Sequence, residues 1–110
     1  MSASISSVSV DQAGGVTAEL IAAIAGYRIE VVGFCLSVGG AAVTVKSTLQ
    51  DTTANTVRMT LVGNATAPAV YTYDGGRENP AFTTANGEGL ELVAGTASAI
   101  AGFITFRYVK

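Results

Sequence analysis

Apolar residues in this 110-residue chain fall in short runs with a period of two. Glycine and polar clusters break these runs at intervals of roughly ten residues, the pattern of a sandwich or barrel of short strands. Ile5, Val8 and Val10 open a first strand, and Asp11 to Gly15 end it. Val16 to Ala25 reads two ways. Val16, Leu20, Ile21 and Ile24 fall near one face of a helix, whereas Thr17 to Ala22 fits a strand. The strand is preferred because everything after it reads as β. Tyr27 to Val38 is the most strongly apolar stretch. Counted straight through, it puts Ile29, Val31 and Cys35 on one face and Val32, Phe34, Leu36 and Val38 on the other. A strand covered on one side alternates apolar with polar residues. This one does not, so both of its faces are expected to be covered, by the core or by another subunit.

After a Gly39-Gly40 turn, Val43, Val45 and Leu49 alternate with Thr44, Lys46 and Thr48. Val57, Met59 and Leu61 make the next strand, and Val70, Tyr71 and Tyr73 a short one before the longest loop, Asp74 to Gly87. Leu90 and Leu92 flank Glu91 in the seventh. Ile100 to Val109 is the last, with Ile104, Phe106 and Tyr108 opposite Phe103, Thr105 and Arg107. The expectation is all-β: an antiparallel β-sandwich or jelly roll of about eight strands. An immunoglobulin-like sandwich is the alternative topology. Residues 1–10 form an N-terminal arm or first strand, and residues 11–110 a single sandwich domain.

Composition adds one anomaly. Only 13% of residues are charged, where a soluble domain of this size carries about a quarter. Some of the surface is therefore expected to meet protein rather than water. The net charge is −2, and the six basic residues are scattered along the sequence. A nucleic-acid partner is not expected, since phosphate binding needs concentrated positive charge. No apolar stretch approaches the roughly 20 residues of a membrane-spanning helix. Met1 to Val10 lacks the basic start of a secretory signal. The expectation is a soluble protein made in a cytoplasm, without a membrane partner.

The residues offer little chemistry. Histidine is absent, which removes Ser-His-Asp and Cys-His catalysis and zinc sites built from Cys and His. Cys35 is the only cysteine and reads as a small buried hydrophobe. Glu88 and Glu91 are an odd number of residues apart, so along one strand they point to opposite faces. Asp74, Glu78 and Asn79 are a weak version of a calcium loop. No phosphate-binding glycine loop precedes a helix. No enzyme activity, catalytic residue, metal ligand or cofactor is expected. Tyr71, Tyr73, Arg77 and Phe82 could make a binding tip for a sugar or protein. The competing reading, that these aromatics anchor a long loop onto the core, is preferred.

Four segments together resemble small structural proteins of tailed bacteriophages. They are Glu19 to Val31, Ala42 to Ser47, Asn79 to Leu92 and Ala101 to Val109. The third is similar to their Asn-Pro-x-Phe-x-Thr-x-x-Gly-Glu-x-Leu-x-Leu signature. The chain thus resembles the capsid decoration, or cement, proteins of jelly-roll type. That resemblance implies a virion structural protein made in the host bacterial cytoplasm. It would bind the major capsid protein on the outside of the head as a homo-oligomer, a trimer foremost and a dimer as the alternative. The rival reading is a receptor- or glycan-binding domain of a tail fibre. The signature residues have structural tasks to perform. Pro80 fixes its own φ and holds Asn79 extended, Phe82 anchors the loop, Gly87 takes a positive φ, and Glu88 accepts backbone hydrogen bonds. Interface candidates are Ile5 and Val8, in the N-terminal arm or first strand over residues 1–10, of which the Ser-rich Met1 to Ser7 is the candidate flexible arm, and Val32, Phe34 and Leu36, from their unrelieved hydrophobicity. Deleting residues 1–9 is expected to weaken shell binding more than folding.

Overall fold

The computed structural model describes residues 4–40, 45–63, 66–76 and 79–110. Among them every regular element is a strand: β1 (Ser6–Ala13), β2 (Thr17–Ile21), β3 (Arg28–Gly39), β4 (Val45–Asp51), β5 (Val57–Gly63), β6 (Ala69–Asp74), β7 (Phe82–Thr83), β8 (Leu90–Val93) and β9 (Ala99–Val109). The ambiguous stretch after Gly15 is the strand β2. The two-residue β7, inside the long loop, raises the count from the expected eight to nine. Val43 lies outside the described residues.

The strands form two antiparallel sheets. A front sheet runs β1-β9-β3-β6, with β7 also on β3, and a back sheet runs β2-β8-β4-β5. The pairings β1 with β9, β2 with β8, β3 with β6 and β4 with β5 are those of one long hairpin. Rolling that hairpin brings β9 against β3 and β8 against β4. With the short β7 set aside, this is the strand order of a jelly roll, a sandwich of two Greek keys.

The core lies between the sheets. The front sheet contributes Val10, Ile29, Val31, Phe34, Leu36, Val38, Ile100, Ile104 and Phe106, and the back sheet Ile21, Leu49, Leu61, Leu90, Leu92 and Ala94. Ile29, Leu36, Leu49, Leu61, Leu90, Leu92, Ile100 and Ile104 are all at most 1% exposed. Burying each such side chain is worth about 1.5–3 kcal/mol.

A β-bulge decides how β3 presents its faces. The register against β9 shifts between Val31 and Gly33, leaving Val32 as the extra residue. Because side chains alternate with a period of two, one inserted residue reverses the phase. Ile29 and Val31 before the bulge therefore share the inner face with Phe34, Leu36 and Val38 after it. The apparent hydrophobicity of both faces is a single inner face counted across a phase change. The flanking partner of β3 also changes here, from β7 at Glu30 and Val31 to β6 from Gly33 onward. The Gly75 amide donates to the Val32 carbonyl at 3.1 Å and that of Ala81 to the Val31 carbonyl at 2.8 Å.

One long-edge contact joins the sheets. On β6 the Tyr71 hydroxyl donates to the Val62 carbonyl of β5 at 3.0 Å and accepts from its amide at 2.9 Å. At Gly102 of β9 a Cβ would lie 1.8 Å from the Cys35 carbonyl oxygen, and φ is +144°. Only glycine allows β9 and β3 to pass this closely.

Candidate functional site

The acidic residues were the remaining source of chemistry. Asp51, at the end of β4, is 0% exposed. Arg58 of β5 grips it with two hydrogen bonds, Nε to Oδ1 at 2.9 Å and Nη2 to Oδ2 at 2.7 Å. The Ala85 amide donates to Oδ2 as well, at 3.1 Å. The hydrogen bond to Asp51, with the charges of Asp51 and Glu88, raises the Arg58 pKa despite an opposing cost of desolvation. Glu88 accepts from the amides of Thr53 and Ala54 at 3.0 and 2.6 Å, stapling the β8 approach to the β4–β5 turn. Glu30 is held by Arg107 at 2.7 Å, and Glu91 accepts from Gln50 at 2.8 Å. Among the described residues no three Asp, Glu, Cys or His converge as a metal site. Every buried side-chain nitrogen and oxygen among them has a hydrogen-bond partner. The acids at this end of the sandwich are ties between loops.

The signature loop serves the same purpose. Phe82 pairs with Val31 through β7 and packs against the core. Pro80 is half-buried and Asn79 exposed. The Asn79 carbonyl accepts from the Tyr73 hydroxyl at 2.7 Å. Gly87 has φ of +79°, and its amide donates to the Tyr27 carbonyl at 2.7 Å. Thr84 accepts from the Ile29 amide at 2.9 Å. Tyr73 stacks on Phe34 at 5.9 Å between ring centres. With Tyr71 bound to Val62, neither tyrosine stands free as a binding tip. Arg77 and Glu78 lie outside the described residues.

The interface candidates separate into two groups. Ile5 is 39% exposed ahead of β1, and Val8 is half-buried at the edge of the core. Val32, Phe34 and Leu36 are 3%, 7% and 1% exposed. They are interior, so they offer no face to another subunit; the bulge turned the last two inward. The expected arm is shorter than Met1 to Ser7: Ser6 and Ser7 already pair with Phe106 and Thr105, and residues 1–3 lie outside the described residues. Deleting residues 1–9 would therefore strip half of β1.

What sequence reasoning missed is the outer face of the front sheet. Two rows cross its middle: Ser9, Phe103, Cys35 and Thr72, then Asp11, Ala101, Ser37 and Val70. A third row, Ser7, Thr105, Gly33 and Asp74, adjoins them. Two of the face's carboxylates, Asp11 and Asp74, sit on the two edge strands, and the Arg107–Glu30 pair closes one end. Everything between is small or apolar. Val70 is 66% and Phe103 46% exposed, and Cys35, expected in the core, stands half-buried here. Beside Phe103 lies an open depression of about 560 Å³, lined also by Gly33, Thr72, Asp74 and Thr105. It exists because Gly33 has no side chain; a Cβ there would lie 2.7 Å from the Thr105 hydroxyl oxygen. Gly33 was also the available signal, since an isolated glycine within a strand often marks a bulge. Comparison of the chain with protein families, with curated proteins and with solved structures finds no match.

Proposed function

We propose that this protein is a bacteriophage virion structural protein, a decoration protein that binds the outside of the head as a homo-oligomer and has no catalytic role. The reading rests first on the uncharged middle of the outer face of the front sheet. Exposed apolar area of this kind marks contact with protein, and here it sits on a rigid sheet rather than in a cleft. The jelly-roll strand order is in keeping with it, since that architecture recurs in viral capsid domains, although the fold alone does not specify a function. The resemblance of Asn79 to Leu92 to the phage signature points the same way. The tail-fibre alternative loses support, because it drew on Tyr71 and Tyr73, and both hydroxyls are spent on backbone groups.

The copy number of the chain in purified particles, relative to the major capsid protein, tests the proposal. A simple ratio giving hundreds of copies is the expected result. A handful of copies would move the protein to the tail, and absence from the particle would overturn the proposal.

A further inference from the structure

We propose that the outer face of the front sheet is a two-fold self-interface, on which a second copy of this chain packs face to face. The inference deepens the homo-oligomer part of the reading above and does not depend on the virion.

Three observations select a second copy as the occupant. The first is charge. Asp11 and Asp74 lie on opposite edge strands, β1 and β6, with no charged residue in the rows between them. A two-fold axis along the strands lays β1 over the partner's β6 and β9 over the partner's β3. Asp11 then faces the partner's Val70, and Asp74 the partner's Ser7, so no carboxylate meets another. The second is shape. Phe103 projects from β9, and the depression at Gly33 opens on β3 beside it. The same axis keeps each row over itself, so it sets Phe103 over the partner's Cys35, in the row next to the partner's Gly33 and at the edge of its depression, and repeats the contact in reverse. A projection beside a hollow on one face, exchanged by the axis, suits an isologous interface. The third is area. Four strands spaced ~4.8 Å apart, with about eight residues each at ~3.3 Å, present about 500 Å² per copy. Two copies bury about 1,000 Å², the lower bound for a specific interface. The arrangement is that of aligned sheet packing, inner faces against inner faces, repeated here between outer faces. It closes with two copies, so through this face the chain forms the dimer rather than the trimer.

Sedimentation of the purified full chain at about 100 μM tests this, a concentration at which an interface with Kd of ~10 μM is mostly formed. The unmodified chain is expected to be a dimer that dissociates on dilution. Ala101→Glu and Ser37→Glu, both at exposed positions in the middle of the face, are expected to raise the dissociation constant at least tenfold while leaving the melting temperature of the dilute, monomeric chain nearly unchanged. Thr48→Glu, on the outer face of the back sheet, is expected to leave the dimer intact. A monomeric unmodified chain would overturn the proposal, as would a dimer that survives both front-sheet variants or one that Thr48→Glu also breaks. No particle is present in the experiment, so a monomer would overturn the pairing while the copy number on the head decides the virion reading separately.

Discussion

The two outer faces of the sandwich are built from the same kind of strand and distribute their charged groups differently. The back sheet shows Glu19 and Glu91 facing each other across β2 and β8, with Lys46, Thr48, Gln50 and Thr60 on the neighbouring strands. That is an ordinary solvated face, and it holds its polar groups in place, as in the Gln50–Glu91 hydrogen bond. The front sheet shows alanine, serine, glycine, Phe103 and Val70, with charge only at its rim. The difference is one of placement: the front sheet keeps its charges, Asp11, Asp74 and the Arg107–Glu30 pair, at its edges and one end and leaves the rows between them uncharged. An uncharged centre within a charged rim is where a partner surface is to be sought.

The comparison depends on the bulge at Val32, and the largest effect is expected there. Deleting Val32 restores a straight phase and would turn Phe34, Leu36 and Val38 outward. At about 1.5–3 kcal/mol for each side chain, the loss is comparable to the whole stability of a small domain. Circular dichroism is expected to show an unfolded or aggregated chain. Native-like spectra with a normal melting temperature would mean that the phase change is not needed.

Next come two ion pairs among the described residues, one belonging to each sheet. Arg58→Ala leaves the fully buried Asp51 without its cation and is expected to cost about 3 kcal/mol in chemical denaturation. Arg107→Ala opens the pair with Glu30, whose carboxylate reaches water as that of Asp51 does not, and is expected to cost about 1 kcal/mol. Equal costs would mean that burial does not separate the pairs. Tyr71→Phe, which removes the hydroxyl bound to both backbone groups of Val62, is expected to cost about 1–2 kcal/mol and to raise hydrogen exchange along β5 and β6.

The smallest effect is one of pH. Burial, and then the nearby charge of Glu19, raise the Tyr108 pKa above the ordinary value of 10.0. The folded state thus favours the protonated phenol, which donates to the Ala22 carbonyl at 2.6 Å. This contribution is complete below the unfolded pKa and is lost as pH rises through the folded one. Stability is expected to fall in the alkaline range, and Tyr108→Phe to flatten that fall; an unchanged slope would remove Tyr108 as its source.

Strand positions were legible in the sequence, because a period of two survives in β1, β4, β5, β6, β8 and β9 whatever their neighbours are. The face of β3 was not, because the period was counted through Gly33 instead of being restarted there. That phase change places Val32, Phe34 and Leu36 inside the chain rather than on an outer face; Cys35, read as buried from the habit of free cysteines, is half-buried on the outer face instead. The polar ties were legible only in part. Glu88 was expected to accept backbone amides, but its donors, Thr53 and Ala54, are 35 and 34 residues away. The Asp51–Arg58–Ala85 tie was not foreseen, since it depends on which loops the rolled hairpin brings to one end. The outer front face escaped notice because no single strand displays it: Phe103, Cys35 and Val70 become neighbours only when β9, β3 and β6 are aligned.

Cys35 lies in the middle of that face and reports on it without any substitution. Its alkylation rate with iodoacetamide, measured in the unmodified chain from about 1 to about 200 μM, tests whether the face is covered by a second copy. A rate that falls severalfold as concentration rises is the predicted result. A rate that stays constant across the series would contradict the account.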